Sequence, residues 1–227
     1  WTRDVPACSL RQVIDGEGRV LIVSRTPGAD ETTLSLEYEP VAPPPDGPAD
    51  HLRNGTFTFE PTGQAGADLW TSLDGRGRRY VTAHSHHPNL MDNFSAASAV
   101  SLSHQKIGAV RVPLRSSRAA AYALRQCEDA RMREWGIDPV AWRALKVRPV
   151  PVKSLTEWLS SDDYPIAALL NGSQGYMILR FEVGPNGRIL KCQRINRGIP
   201  DHSRNRICDK LEHRARFKPG LSAAGEA

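Results

Sequence analysis

The sequence contains no apolar run near the ~18 residues that a membrane-spanning helix requires, so we expect no such helix within these 227 residues. It also lacks the motifs of several common catalytic sites: there is no Gly-x-Ser-x-Gly elbow, no His-Glu-x-x-His pair and no phosphate-binding loop. Because no catalytic constellation is found, we expect that the protein is not an enzyme and that it uses no cofactor.

Cysteine is scarce, with four residues at positions 8, 127, 192 and 208. A structural zinc site needs closely spaced Cys or His pairs, and a thiol redox centre is typically Cys-x-x-Cys; the four cysteines fit neither spacing. Four cysteines permit three disulfide pairings, and four buried reduced thiols are the alternative.

Aromatic residues make up only 7% of the chain, and they are not interleaved with the basic residues. Of the net charge of +5, most lies in residues 151–227, which hold 12 Lys and Arg against 8 Asp and Glu. Basic patches can bind phosphate backbones, but without interleaved aromatics or a known module we expect no nucleic-acid partner. We expect instead a solvated basic face or one that meets an acidic partner.

The sequence His84-Ser85-His86-His87 is the one candidate metal site. Imidazoles at these spacings can converge on zinc or a transition metal if the backbone turns there. Because no Cys, Asp or Glu lies beside them before Asp92, a polar loop after a strand is the favoured interpretation, and we expect no bound metal.

Short runs of alternating or β-branched residues fill the first half of the chain, and turn clusters such as Asn54-Gly55 separate them. This spacing predicts an antiparallel sandwich or barrel-like sheet. The predicted strands are 13–14, 20–23, 34–38, 56–59, 68–73, 80–83, 99–102 and 109–114.

Residues 116–136 have the clearest helical pattern, with Cys127 on the side that faces the sheet and Gly136 at the end. Asp138-Pro139 begins a second short helix, 138–145. Strands followed by helices, with a tryptophan and a cysteine near the start, resemble periplasmic domains of the invasion-associated locus B type.

Residues 146–154, Lys-Val-Arg-Pro-Val-Pro-Val-Lys-Ser, separate the two halves. Alternating Pro and Val favour an extended backbone, so we interpret this segment as a linker. The predicted fold class is α+β: an antiparallel β-rich domain with C-terminal helices, 1–145, is followed by a small α+β domain, 155–227.

The small domain is predicted from its local patterns. Asp162 or Asp163 can begin a helix that holds Pro165 in its first turn and ends at Gly172. Strands 176–183 and 188–196 flank the hairpin signal Asn186-Gly187. A helix over 203–215 places Ile207, Cys208, Leu211 and Ala215 on one side, and an edge strand follows.

This order of features resembles the C-terminal domain of the TonB family of energy transducers. The matching residues are Tyr164-Pro165, Ala168, Gly175, Phe181-x-Val183, Gly187-Arg188-Ile189, Cys192, Gly198, Cys208 and Arg216-Phe217-Lys218-Pro219. Two features depart from the family pattern: Asn196-Arg197-Gly198 replaces the usual Ser-Ser-Gly, and residues 221–227 are short where a long last strand is usual. We therefore expect the domain to be cut short at its last strand.

The resemblance implies that an edge strand of this domain pairs with an extended segment of an outer-membrane TonB-dependent receptor. Residue matching assigns the contact to Ser161, Asp162, Asp163, Tyr164, Pro165, Arg216, Lys218 and Pro219, with Phe217 in the core. It also implies an inner-membrane motor reached through an N-terminal helix that this chain lacks. The domain interpretation pairs Cys8 with Cys127 and Cys192 with Cys208.

Disulfides require an oxidising compartment, which the resemblance makes the periplasm, with a possible inner-membrane anchor in a longer protein. The chain begins at Trp1, so we take it as a mature or trimmed fragment. The expected function is part of energy transduction for transport, including siderophore transport. The alternative is a structural adaptor of the cell envelope, and a shortened edge makes a swapped homodimer possible.

Overall fold

The computed structural model describes residues 8–14, 20–29, 31–37, 51–73, 79–87, 89–154, 157–163, 178–195 and 201–226. These residues form two compact units, and the boundary lies between Ile137 and Asp138. The predicted mixed α+β class is confirmed, since a large antiparallel sheet is accompanied by a few helices. Among the described helices, none has both the length and the apolar character needed to cross a membrane.

One eight-stranded antiparallel sheet, curved into a half-barrel, dominates the first unit. Its order is β1-β2-β3-β6-β5-β4-β7-β8, so β1 and β8 are the two ends. The strands are β1 (Cys8–Val13), β2 (Val20–Arg25), β3 (Thr32–Glu37), β4 (His51–Glu60), β5 (Gly63–Leu73), β6 (Arg79–Ser85), β7 (Ala99–His104) and β8 (Gly108–Pro113).

Apolar side chains at alternate positions along the strands form the core of this sheet. Leu34 and Leu36 are buried on β3, while Phe57 and Phe59 are buried on β4 with their rings 5.8 Å apart. Side chains two positions apart lie on the same face of a strand, so each strand contributes one apolar face. The two halves of the curved sheet meet at a small apolar cleft lined by Leu21, Leu34, Leu36, Phe57, Val100, Leu102, Val110 and Val112.

Asn54 and Gly55 differ from the sequence-based expectation of a turn. They lie inside β4, at a register shift against β5 between Leu52 and Gly55. Asn54 has a φ of 63°, a left-handed conformation that asparagine tolerates, and it accommodates the irregularity. A Cβ on Gly55 would lie 2.4 Å from Cγ of Leu69, so glycine permits the close approach of the two strands.

The first unit also contains the helices α1 (Leu90–Ala96) and α2 (Ser117–Glu134). The Cys8–Cys127 disulfide joins β1 to α2, as predicted, with the two Cα atoms 5.9 Å apart. Nearby, Nε of Arg25 donates to Oε1 of Glu128 at 3.0 Å, and both side chains are largely buried. Burial raises the pKa of Glu128 above its ordinary value despite the attraction of Arg25.

The described residues of the second unit form two helices, two small sheets and one 3₁₀ turn. Its elements are α3 (Pro139–Arg143), β9 (Val150–Pro151), the 3₁₀ turn Ser161–Asp163, β10 (Leu179–Val183), β11 (Ile189–Arg194), α4 (Asp201–Arg214) and β12 (Phe217–Lys218). Strands β10 and β11 form an antiparallel hairpin, and β12 pairs with β9 in a separate antiparallel sheet. Asp162 and Asp163, expected to begin a helix, form the 3₁₀ turn, and residues 164–172 of that predicted helix lie outside the described residues.

The predicted linker, 146–154, lies within the second unit instead of between the two units. Alternating proline and valine make this segment extended, and an extended segment can also serve as a strand. Its backbone pairs with residues 216–221. The division therefore falls before α3, at 137/138, rather than at the predicted boundary.

Candidate strand-pairing site

A small apolar core holds β12 in place. Trp158, Ile189, Leu211 and Ala215 are buried together, and Phe217 of β12 packs against them. The ring centroid of Phe217 lies 5.6 Å from that of Trp158 and 5.7 Å from that of Phe181. Phe217 is thus an anchor of the strand, as expected for a core residue, which leaves the backbone of β12 as the pairing surface.

The Cys192–Cys208 disulfide ties the hairpin to helix α4. Cys192 lies on β11 and Cys208 on α4, and their Cα atoms are 5.5 Å apart. The two cysteines are 16 residues apart. Closing a loop of this length contributes about 3 kcal/mol to stability in the chain-entropy account. The bridge thereby fixes the helix that leads directly into β12.

Asp163 joins the 3₁₀ turn to the same helix. Its side chain is only 4% exposed; one carboxylate oxygen contacts Nζ of Lys210, and the other accepts from Arg214 at 2.7 Å. The backbone N–H of Ser160 donates to the same carboxylate at 2.8 Å. The Lys210 ammonium, with Ser160 and Arg214, holds the pKa of Asp163 well below its ordinary value. Asp163 therefore has a structural role.

One side of β12 lies against the turn of the β10–β11 hairpin. The backbone N–H of Phe217 donates to the carbonyl of Gly187 at 2.8 Å. Gly187 has a φ of 73°, and a Cβ there would lie 2.1 Å from the carbonyl oxygen of Phe217. Glycine is required at this position, because it alone permits both the left-handed backbone and the close approach.

The other side of β12 is occupied by residues 146–152, which we call the strap. Pro151 lies opposite Phe217, and Val150 lies opposite Lys218. The N–H of Val152 donates to the carbonyl of Arg216 at 2.9 Å. Further along, Val147 and Leu221 exchange backbone hydrogen bonds of 3.3 and 2.8 Å. The edge that we expected to be open at residues 216–219 is thus already paired within the chain.

The strap fits this position because of where its prolines fall. The N–H of Phe217 points away from the strap, towards Gly187, so the Phe217–Pro151 pair exchanges no backbone hydrogen bond. A proline is tolerated at such a position, since its missing N–H would face outwards. It also leaves the outer edge of the strap without a donor at Pro151, which disfavours addition of a further strand there.

The structure brings only some of the predicted contact residues to the pairing edge. Lys218 lies in β12 with its side chain exposed, and Pro219 follows it. Nη1 of Arg216 donates to the carbonyls of His213 at 2.9 Å and Ala215 at 2.6 Å, so Arg216 closes the end of α4. The remaining predicted residues are Ser161, Asp162 and Asp163, which form the 3₁₀ turn, and Tyr164 and Pro165, which lie outside the described residues.

The sequence-based interpretation missed the strap, Lys210 and Arg214. Alternating Pro and Val gave a usable signal for an extended strap, but the partner of the strap, residues 216–221, is distant along the chain. A spacing of four residues puts Lys210 and Arg214 on the same face of α4. No local pattern indicated that this face meets Asp163, because the turn that holds Asp163 is distant in sequence.

The histidine cluster spans the end of β6: His84 lies within the strand, and His86 and His87 follow it. Nδ1 of His84 contacts Oε1 of Glu31 and lies 3.4 Å from Oγ1 of Thr33. The neighbouring imidazole is the main reason that the pKa of Glu31 lies below its ordinary value. His86 and His87 are exposed. In the part of the chain that the structure describes, no group of three or more metal-ligating side chains is close enough to hold an ion.

Comparisons with known proteins add no support to the family resemblance, which rests on the matching residues of the sequence alone. No family model, curated protein or solved structure matches this chain.

Proposed function

We propose that the protein is a TonB-like periplasmic binding protein whose second unit pairs β12 with an extended segment of an outer-membrane transporter. The observation that carries this proposal is the pairing of β12 with the strap. Residues 216–218 accept an extended antiparallel segment, and the resemblance assigns guest binding to this same stretch. The strap is an internal example of the kind of ligand proposed.

The anchoring of β12 supports the same function. Strand addition requires that the receiving strand keep its conformation while its partner changes. Phe217 is fixed by Trp158 and Phe181, Arg216 is fixed at the end of α4, and α4 is fixed by the disulfide and by Asp163. These contacts lie on the core side of β12, so a guest can form backbone hydrogen bonds without disturbing them.

The test is a titration of the isotopically labelled protein with a peptide that carries the transducer-binding segment of an outer-membrane transporter. We expect amide resonances of residues 214–222 to shift, while those of α2 in the first unit stay unchanged. A matched control peptide has alternate backbone nitrogens methylated, which keeps its side chains and removes the donors that strand pairing needs. Equal shifts with both peptides, or no shift at 214–222, would contradict the proposal.

A structural adaptor of the envelope is the second candidate, and the occupied edge is the observation that favours it. If the strap stays paired permanently, the second unit has no free edge at β12 and binds partners through another surface. Amide shifts that leave 214–222 unchanged while an envelope protein is bound would support this candidate over the first.

A further inference from the structure

The backbone of β12 sets a simple requirement on any segment that pairs with it. Arg216 offers its carbonyl and Lys218 lies in register with Val150, whereas Phe217 directs its N–H to Gly187. A partner residue opposite Phe217 therefore needs no N–H of its own. Positions that pair with β12 alternate with positions at which proline costs no hydrogen bond.

The strap meets this requirement but is held mainly through its backbone. The side chains of Val150 and Val152 remain 48% and 54% exposed, so they contribute little buried apolar area. The regular pairing with β12 spans two residues on each strand. Arg148 adds a contact 5.3 Å above the Trp142 ring, which ties the strap to α3 and leaves β12 uninvolved.

We propose that the β12 edge is a binding site for extended segments with proline at alternate positions, and that the strap is its resident occupant, displaced when a guest binds. This inference deepens the proposed function and rests on it, because both use the same edge. A guest of the same class replaces the hydrogen bonds of the strap one for one. The outcome of the exchange therefore depends on the concentration of the guest and on small differences in how the guest and the strap fit β12.

Because the strap competes for the same edge, a guest must bind tightly enough to displace it. A segment tethered by a short chain acts at an effective concentration on the order of millimolar. The apparent affinity of a guest is its intrinsic affinity multiplied by the fraction of molecules in which the strap is released. Weakening the strap without touching β12 must therefore strengthen guest binding.

Val152→Pro provides this change. It removes the N–H that donates to Arg216, at a residue whose side chain is exposed, and Val152→Ala is the matched control that keeps the N–H. The probe is the free peptide Lys-Val-Arg-Pro-Val-Pro-Val-Lys, which is the sequence of residues 146–153. We expect the peptide to bind Val152→Pro roughly fivefold more tightly than Val152→Ala, as the loss of one hydrogen bond implies.

A locked variant tests displacement directly. Val150→Cys with Lys218→Cys places two exposed residues opposite each other across the β9–β12 pair, where a disulfide can close. We expect the locked protein to lose binding of the peptide, while each single substitution keeps it. Unchanged α4 amide resonances in all variants show that the unit is folded.

The outcomes separate this inference from the proposed function. Equal peptide affinity in Val152→Pro, Val152→Ala and the locked protein would overturn the inference, as would a lack of binding to Val152→Pro. If Val152→Pro binds the strap peptide but no transporter peptide, the inference stands and the proposed function fails. If the locked protein binds a transporter peptide as well as the parent does, the peptide does not pair with β12, and both strap displacement and pairing at this edge are excluded.

Discussion

Phe217 and Gly187 meet backbone to backbone, and this contact attaches β12 to the hairpin. The N–H of Phe217 donates to the carbonyl of Gly187 at 2.8 Å, while the Phe217 carbonyl oxygen lies 2.1 Å from where a Cβ on residue 187 would be. The turn that reverses the hairpin therefore also positions the edge strand. A loss of glycine there affects both features.

Gly187→Ala is expected to destabilise the second unit by about 2 kcal/mol or more, because it combines a left-handed backbone with a clash against main-chain atoms. Gly225→Ala is the matched control, since Gly225 has a φ of 85° but no described atom within 4 Å of its Cβ position. Chemical unfolding followed by Trp fluorescence measures the difference. Equal losses in the two variants would show that the close approach contributes nothing.

Asp163 makes the stability of the second unit depend on pH. Its pKa is lowered in the folded state, so its contribution is fully present above its ordinary value of 3.8 and is lost as the pH falls below that value. We expect Asp163→Asn to lower the unfolding midpoint at pH 7 and to flatten the decline between pH 4 and pH 2. The measurement is the urea midpoint across this range.

Asp162→Asn is the control for that experiment, because Asp162 is an exposed neighbour in the same 3₁₀ turn. We expect this variant to follow the parent protein at every pH. If Asp163→Asn also follows the parent protein, the contacts with Lys210 and Arg214 do not hold the turn against α4 in solution.

Local chemistry made parts of this fold predictable. The hairpin was expected from Asn186-Gly187, and the structure has Gly187 at positive φ with the Asn186 side chain accepting from the N–H of Arg188 at 3.0 Å. Asp138 was expected to start a helix, and its carboxylate accepts from the N–H of Val140 at 2.9 Å. Both signals involve residues within a few positions of each other.

The features that sequence reasoning missed depend on distant partners. The Asn54-Gly55 pair reads as a turn by itself, but it lies inside β4 because β5 and β7 flank that strand on either side. The strap reads as a linker for the same reason, since its pairing with residues 216–221 has no local signal. Turn and linker patterns constrain the backbone of a segment and say nothing about which segment lies beside it.

The two disulfides are expected to differ in their effect on stability. Cys8 and Cys127 are 119 residues apart, whereas Cys192 and Cys208 are 16 apart. In the chain-entropy account, loss of the first costs about 4 to 5 kcal/mol and loss of the second about 3 kcal/mol. Double Ser variants of each pair, compared by chemical unfolding, test the order. A larger loss from the shorter loop would contradict it.

Gln12 links the two ends of the eight-stranded sheet. Its side-chain Nε2 donates to the carbonyl of Pro113 at 2.8 Å, and its Oε1 accepts from the backbone N–H of Arg115 at 3.1 Å. The strands β1 and β8 are not neighbours in the order of the sheet. The Gln12 side chain therefore connects β1 with the end of β8 where no strand pairing does. Gln12→Ala removes both hydrogen bonds, which we expect to cost about 1 to 2 kcal/mol.

Hydrogen exchange distinguishes this bridging role from a general loss of stability. Gln12→Ala should speed exchange at the Arg115 amide far more than at amides of β5 and β6, which lie in the middle of the sheet. Arg11→Ala is the control, because Arg11 is the exposed neighbour of Gln12 on β1. A uniform rise across all strands in Gln12→Ala would mean that the two ends of the sheet open only with the whole unit, and that Gln12 adds no local closure.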